Sequence, residues 1–210
     1  EETVQAGVTI EKIFALESYR DQLSAFPQIV WVSEEILRDL ADTQTPQGIV
    51  AVIQKEEVGP PDFSQGKFLF LEDVQDPGNV GTMIRTADAA GLTGVIVSDK
   101  SADIYSLKTL RSMQGSHFHL PIYRMPVATF IEEAKKSNLP ILATTLSRDS
   151  KDYRELSPLE NFALVMGNEG QGISPIMAES ANQLVHIGMK GRAESLNVAV
   201  AAGILMFYFS

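Results

Sequence analysis

The stretch FALVMGNEGQGIS, Phe162 to Ser174, decides how the chain is read. Its apolar start, Phe162 to Met166, reads as a short buried strand that stops at Gly167-Asn168-Glu169-Gly170. A strand ending there leaves backbone N–H groups and one carboxylate at the carboxyl end of a sheet, where open α/β sheets bind ligands. Ser174-Pro175 then pairs an N-cap with proline at the first helical position, so a helix follows the turn. A second apolar run, LVHIG (184–188), leads into the loop MKGRAESLN (189–197) and the apolar segment VAVAAGILMFYF (198–209). Ser195 is the expected cap of that last helix, which is too apolar for a surface helix. The two turns are expected to form one pocket.

Upstream, the same alternation of strand and helix runs back to Lys67. KFLFLEDV reads as a buried strand, and DPGNVG as a turn into a helix with Val80, Met83, Ile84, Ala87 and Ala90 on one face. Arg85 and Asp88 fall off that apolar stripe. GVIVS, FHLPIY and LPILATTL read as further strands, the proline making FHLPIY short or an edge. IYSLKTLRSMQG and VATFIEEAKKSN read as helices, and SRDSKDYRELSPLEN as a polar segment. Residues 1–54 alternate shorter units: IEKIFA, QIVWV and IVAVIQ as strands, and SEEILRDLAD as a helix capped by Ser33. EEVGPPDFSQG carries prolines and glycines without periodicity and reads as a linker, residues 55–66. The expected organisation is a small α/β domain at 1–54 and a larger α/β domain at 67–210.

Composition narrows the function classes. The 210 residues are 44% hydrophobic and 21% charged, as in ordinary globular domains. The chain has no cysteine, which excludes disulfides and thiolate metal sites and points to a reducing compartment, the cytoplasm. The apolar run Val198–Phe209 is too short to span a bilayer, so no membrane association is expected. The chain begins at Glu1-Glu2 rather than methionine, so a preceding piece is expected. The net charge of −10 argues against overall attraction to nucleic acid. Most of the acidity lies in residues 1–57, with 4 Lys/Arg against 11 Asp/Glu; residues 58–210 hold 13 against 16. Basic residues gather at Lys108 and Arg111, at Arg148, Lys151 and Arg154, and at Lys190 and Arg192. These read either as a solvated surface or as phosphate contacts.

Three segments place candidate functional residues at strand ends: Asn79, Gly81 and Arg85; Gly167 to Gly172; and Met189 to Asn197. Taken singly, each has a plain structural reading. Asn79 could cap a helix, Arg85 could sit on a solvated face, and Glu169 could be a loop carboxylate. GNEGQG is not a dinucleotide fingerprint, and no P-loop is present. His117 and His119 stand two apart on an expected strand and share a face, but no third ligand accompanies them. They and His186 are expected to be structural, with no metal site.

Order and spacing are more specific. N-x-G-x-x-x-R after a strand, G-N-E-G-x-G-I after a strand, and M-x-G-x-x-E-S-L-N-V before the last helix closely resemble the SpoU/TrmH class of the SPOUT superfamily. RSMQGSHFHLP (111–121) agrees with that class too, and the likeness covers residues 67–210. Residues 1–54, with TPQGIVAV, resemble the tail of the small RNA-binding α/β domain that often precedes the catalytic one. Its first strand and helix are expected to be absent. Gly188 departs from the family, which often has proline there.

The resemblance implies S-adenosylmethionine-dependent transfer of a methyl group to a ribose 2′-hydroxyl of ribosomal or transfer RNA. It implies a parallel sheet flanked by helices with a deep trefoil knot, although knots are nearly absent from proteins. It implies a cofactor pocket built from Thr144, Thr145 and Leu146, from Gly167, Asn168, Gly170 and Gly172, and from Ile187, Met189 and Leu196. Arg85 is implied to activate the hydroxyl or to clamp the adjacent phosphate, with Asn79, Glu169, Ser195 and Asn197 shaping the site. A homodimer through the C-terminal domain is implied as well. Two other readings stand beside this one: a base-methylating knotted RNA methyltransferase, and a non-catalytic RNA-binding protein.

Overall fold

The computed structural model describes residues 6–55 and 58–210. Residues 1–5 of the expected small domain, and Glu56 and Glu57 of the expected linker, lie outside them. The chain divides into two compact units, residues 1–57 and 58–210.

The first unit runs β1 (Ile10–Ala15), a 3-10 turn, α1 (Arg20–Leu23), β2 (Ile29–Trp31), α2 (Glu34–Ala41) and β3 (Ile49–Ile53). The expected strands form; α1 is an addition. The Ser33 side chain accepts the Ile36 N–H at 3.4 Å, so the expected cap forms, and α2 closes at Asp42 in the left-handed region, φ 46°. β1 is the central strand, with β2 parallel and β3 antiparallel to it. Ile13, Ala15 and Leu37 are its buried apolar residues.

The second unit alternates strand and helix. Its strands are β4 (Lys67–Leu71), β5 (Gly94–Val97), β6 (Ile122–Arg124), β7 (Ile141–Thr144), β8 (Lys151–Asp152), β9 (Phe162–Met166) and β10 (Gln183–His186). Its helices are α3 (Pro77–Ala89), α4 (Leu107–Met113), α5 (Val127–Lys136), α6 (Pro175–Ser180) and α7 (Val198–Phe209). The strands form one sheet in the order β6-β5-β4-β9-β7-β10-β8, with every pair parallel. Parallel strands covered on both faces read as continuous apolar runs, as KFLFL, GVIV and FALVM do.

Alternate residues of each strand feed two cores. Leu69, Leu71, Val95, Val97 and Leu164 pack with Val80, Met83, Ile84 and Ala87 of α3 and with Ala202, Leu205, Met206 and Phe209 of α7. Phe68, Phe70, Ile96 and Val165 pack with Phe130, Ile131 and Ala134 of α5 and Met177 of α6. Each fully buried Val, Leu, Ile, Phe or Met among them contributes roughly 1.5–3 kcal/mol of transfer free energy. Phe63, within the proline-rich stretch, belongs to the second core: its ring meets Phe68 edge-on at 5.1 Å and Phe130 at 5.8 Å.

Two sequence expectations need correction here. FHLPIY is not a strand throughout, because Ser116–Phe118 form a 3-10 turn and β6 begins only after Pro121. His117 and His119 therefore do not share a strand face. The proline does mark the edge, since β6 is the outermost strand on its side. The polar segment after β7 also contains β8, whose two residues pair with Val185 and His186 at the opposite edge.

Gly81 sets how α3 lies against α4. A Cβ there would stand 2.6 Å from the Thr109 carbonyl oxygen, so the helices approach closely only because no side chain intervenes. That close approach fixes the start of α3, which carries Asn79.

Candidate active site

A cleft of about 680 Å³ opens at the carboxyl ends of β7, β9 and β10. That volume lies within the usual range of small-molecule sites. Three segments wall it: Thr144–Leu146 after β7, Gly167–Gly172 after β9, and the stretch from His186 to Val198 after β10. All ten positions implied for the cofactor line this one cleft, as do Glu169, Ser195 and Asn197. Asn79 and Arg85 do not.

The turn after β9 is fixed from within. Asn168 and Gly172 form an isolated bridge, each N–H donating to the other's carbonyl, at 3.0 and 2.9 Å. The Asn168 Oδ1 accepts the N–H groups of Gly170 and Gln171 at 2.9 and 3.0 Å. Gly172 sits at φ +71°, where a side chain is strained. A Cβ on Gly167 would overlap the Gly172 carbonyl carbon and the Ile173 nitrogen, so no other residue fits there. Beyond the turn, Ser174 caps α6 through the Met177 N–H, as Ser-Pro predicts.

Glu169 reaches out of the turn to the segment after β4. Its carboxylate accepts the N–H groups of Gln75 and Asp76, both at 3.3 Å, and the side-chain amide of Asn79 at 3.0 Å. The Asn79 Oδ1 in turn accepts the Asn197 Nδ2 at 3.1 Å. Asn197 Oδ1 accepts the N–H groups of Ala199 and Val200 at the start of α7. Three loops far apart in sequence are thus joined by Glu169, Asn79 and Asn197. Burial alone would raise the Glu169 carboxyl, but the Asn79 amide and the surrounding backbone donors outweigh it and hold it below its ordinary value.

Caps are not where the residue types first suggest. Ser195 does not cap α7; Asn197 does, two residues later. Nor is Asn79 a cap. Asp76 caps α3 by accepting the Asn79 N–H at 2.9 Å, and its other oxygen takes Lys108 at 2.8 Å. Asp76-Pro77 carries the same cap-then-proline signature as Ser174-Pro175, so the sequence does hold the signal for this cap. The cleft also takes Met166, Val185, His186, Ala201 and Leu205, which no motif marks, and Gln171 and Val198, which lie within the two motif segments.

Arg85 lies exposed on α3, and among the described residues its guanidinium makes no ion pair. Arg154 differs. Asp152 takes its Nε and Nη2 at 2.7 Å each, a bidentate pair that holds the carboxyl well below its ordinary range and the guanidinium above. The same carboxylate accepts the Gly188 N–H at 3.2 Å, a donor that proline could not supply. His186 meets the Ser150 hydroxyl at 2.9 Å, and His119 meets Asp88 at 2.8 Å. Among the described residues, no group of three or more His, Cys, Asp or Glu side chains is placed to hold a metal ion. None of the described helices is long and apolar enough to cross a membrane.

The chain has counterparts among known proteins. The model of the SpoU rRNA Methylase family matches residues 66–207. The chain belongs to that family. Its relatives include the 23S rRNA (guanosine(2553)-2′-O)-methyltransferase RlmP of Bacillus subtilis (strain 168), 39% identical over 99% of this chain and 84% of RlmP. Among solved structures, the AdoMet-bound rRNA methyltransferase from Sinorhizobium meliloti superposes with a TM-score of 0.86 and 32% identity. That match covers 99% of this chain and 82% of the other. AviRb, a SpoU methyltransferase from Streptomyces viridochromogenes in complex with AdoMet, gives a TM-score of 0.83 at 28% identity, over 99% and 84%.

Proposed function

We propose that this protein transfers a methyl group from S-adenosylmethionine to a ribose 2′-hydroxyl of ribosomal or transfer RNA. The carrying observation is that every position implied for the cofactor lines one cleft, whose Gly-rich wall is braced to Asn79. The residues present fit the cofactor. Glycines at 167, 170 and 172 let the backbone approach a ligand, and Leu146, Ile187, Met189 and Leu196 offer apolar walls for an adenine ring. S-adenosylmethionine would supply an electrophilic methyl group on a sulfonium.

The chain's own residues divide the rest of the work. A ribose hydroxyl is a weak nucleophile, so positioning carries much of the catalysis, on the order of 7–11 kcal/mol at best. Glu169 accepts three donors with its carboxyl held low, so it acts as a brace rather than as the group that takes the proton. A guanidinium keeps its charge at physiological pH, so Arg85 serves to hold the RNA beside the reacting hydroxyl.

Further parts of the reading follow from topology and surface. β10 lies between β7 and β8, so the chain from Thr145 to Asn161 passes outside a strand formed later; we read this as the trefoil knot. Val200 and Phe207, one heptad apart on α7, are 53% and 62% exposed, an apolar stripe suited to a second copy. Arg85 does not line the cleft of its own chain, and we assign a second copy the role of completing the site. Residues 1–54 are assigned to RNA binding, 55–66 to a linker, 67–210 to catalysis, and the protein to the cytoplasm.

The test is Arg85→Ala. Methyl transfer to RNA should fall by at least about a hundredfold, as for removal of one transition-state interaction, with cofactor affinity from calorimetry retained. Loss of cofactor binding in the folded variant would contradict the assignment.

A further inference from the structure

Glu72, at the exit of β4, is the one buried charged side chain among the described residues, 2% exposed. It does not line the cleft. Its backbone N–H donates to the Met166 carbonyl at 2.8 Å, where β9 ends. Its carboxylate accepts the Ser174 N–H at 3.2 Å, where the Gly-rich turn gives way to α6. One residue therefore holds both feet of the turn Gly167–Gly172. Its neighbour Asp73, at φ 56°, accepts the Asn168 side chain at 2.8 Å on its carbonyl, which grips the turn between those feet.

A buried carboxylate without a countercharge costs stability. Burial pushes the Glu72 carboxyl up, the donors of Ser174 oppose this in part, and the nearby Asp73 adds to the rise. A side chain kept in so unfavourable a place is better explained by geometry than by stability.

We propose that Glu72 is a positioning residue for the cofactor turn, fixing the span between Met166 and Ser174 and thereby the backbone path of Gly167–Gly172. This rests on the reading of the cleft as the S-adenosylmethionine site. The interaction is an accepted hydrogen bond, so a neutral acceptor of the same shape should do.

Glu72→Met fills the space without an acceptor, Glu72→Ala removes the side chain, and Glu72→Gln keeps an oxygen for Ser174. Amide exchange of residues 168–174 is measured without cofactor, alongside S-adenosylmethionine affinity, RNA KM and kcat at saturating cofactor. In the Met and Ala variants, exchange and cofactor Kd should both rise about tenfold, as for loss of a hydrogen bond to a charged acceptor. Saturating cofactor re-forms the turn, so the defect should read more strongly in cofactor Kd than in saturated kcat. Gln should restore both quantities to within about threefold. Unchanged exchange and Kd in the folded Met or Ala variant would overturn the proposal, and so would a Gln variant as impaired as Met. If the parent failed to bind S-adenosylmethionine while Met still loosened the turn, the anchor would stand and the cofactor reading would fall.

Discussion

Asn79 and Glu169, 90 residues apart in the chain, are joined by a 3.0 Å hydrogen bond that ties the start of α3 to the Gly-rich turn after β9. The bond leads onward through Asn197 to the first N–H groups of α7. The family's three motifs thus meet through side chains, so a change in any one should be felt at the other two.

That coupling is pH-dependent. The folded-state pKa of Glu169 lies below its ordinary value near 4.5, so its stabilising contribution is present above about that pH. It is lost as pH falls through the folded value. Glu169→Gln should therefore lower the urea midpoint at pH 7 by an amount corresponding to roughly 1 kcal/mol. The gap from the parent should narrow as both are taken below pH 4.5. A constant gap across the whole range would mean that the carboxylate charge plays no part.

Gly167→Ala should abolish cofactor binding. The added Cβ would overlap the backbone of Gly172 and Ile173, and backbone cannot move aside as a flexible side chain can. Overpacking of this kind costs about 1–3 kcal/mol, enough to open the turn in a protein that still folds. Calorimetry on the purified variant checks it, and affinity equal to the parent's would refute the steric argument.

Much of the fold and site is legible from local signals, and the misses share one physical cause. Runs such as KFLFL and FALVM announce buried strands because both of their faces are covered. The residues beside Ser33 and Ser174 suffice to mark both as caps. Ser195 and Asn197 are both good cap types, and Asn197 is the one whose Oδ1 takes the first N–H groups of α7 while its Nδ2 reaches Asn79. β8 has two residues and exists because β10 arrives beside it, which no local pattern encodes. The brace from Glu169 to Gln75 and Asp76 is likewise a tertiary fact.

Arg154 clusters in sequence with basic residues suited to RNA phosphates, yet Asp152 already holds it in a bidentate pair. Each phosphate neutralised by a basic side chain adds roughly 0.7–0.9 to the slope of log affinity against log salt. Replacing the exposed Arg148 and Arg192 with glutamine should therefore reduce the slope, whereas Arg154→Gln should leave it nearly unchanged. A slope that fell with Arg154→Gln alone would mean the pair opens to bind RNA.

The most direct measurement is the position of the transferred methyl group. Ribosomal and transfer RNA are incubated with the protein and S-adenosylmethionine carrying a labelled methyl, then digested to nucleosides and resolved by mass spectrometry. The expected result is label on the ribose of one nucleoside, as a 2′-O-methyl group, absent with Arg85→Ala. Label on a base, or none transferred by a protein that binds the cofactor, would contradict the account.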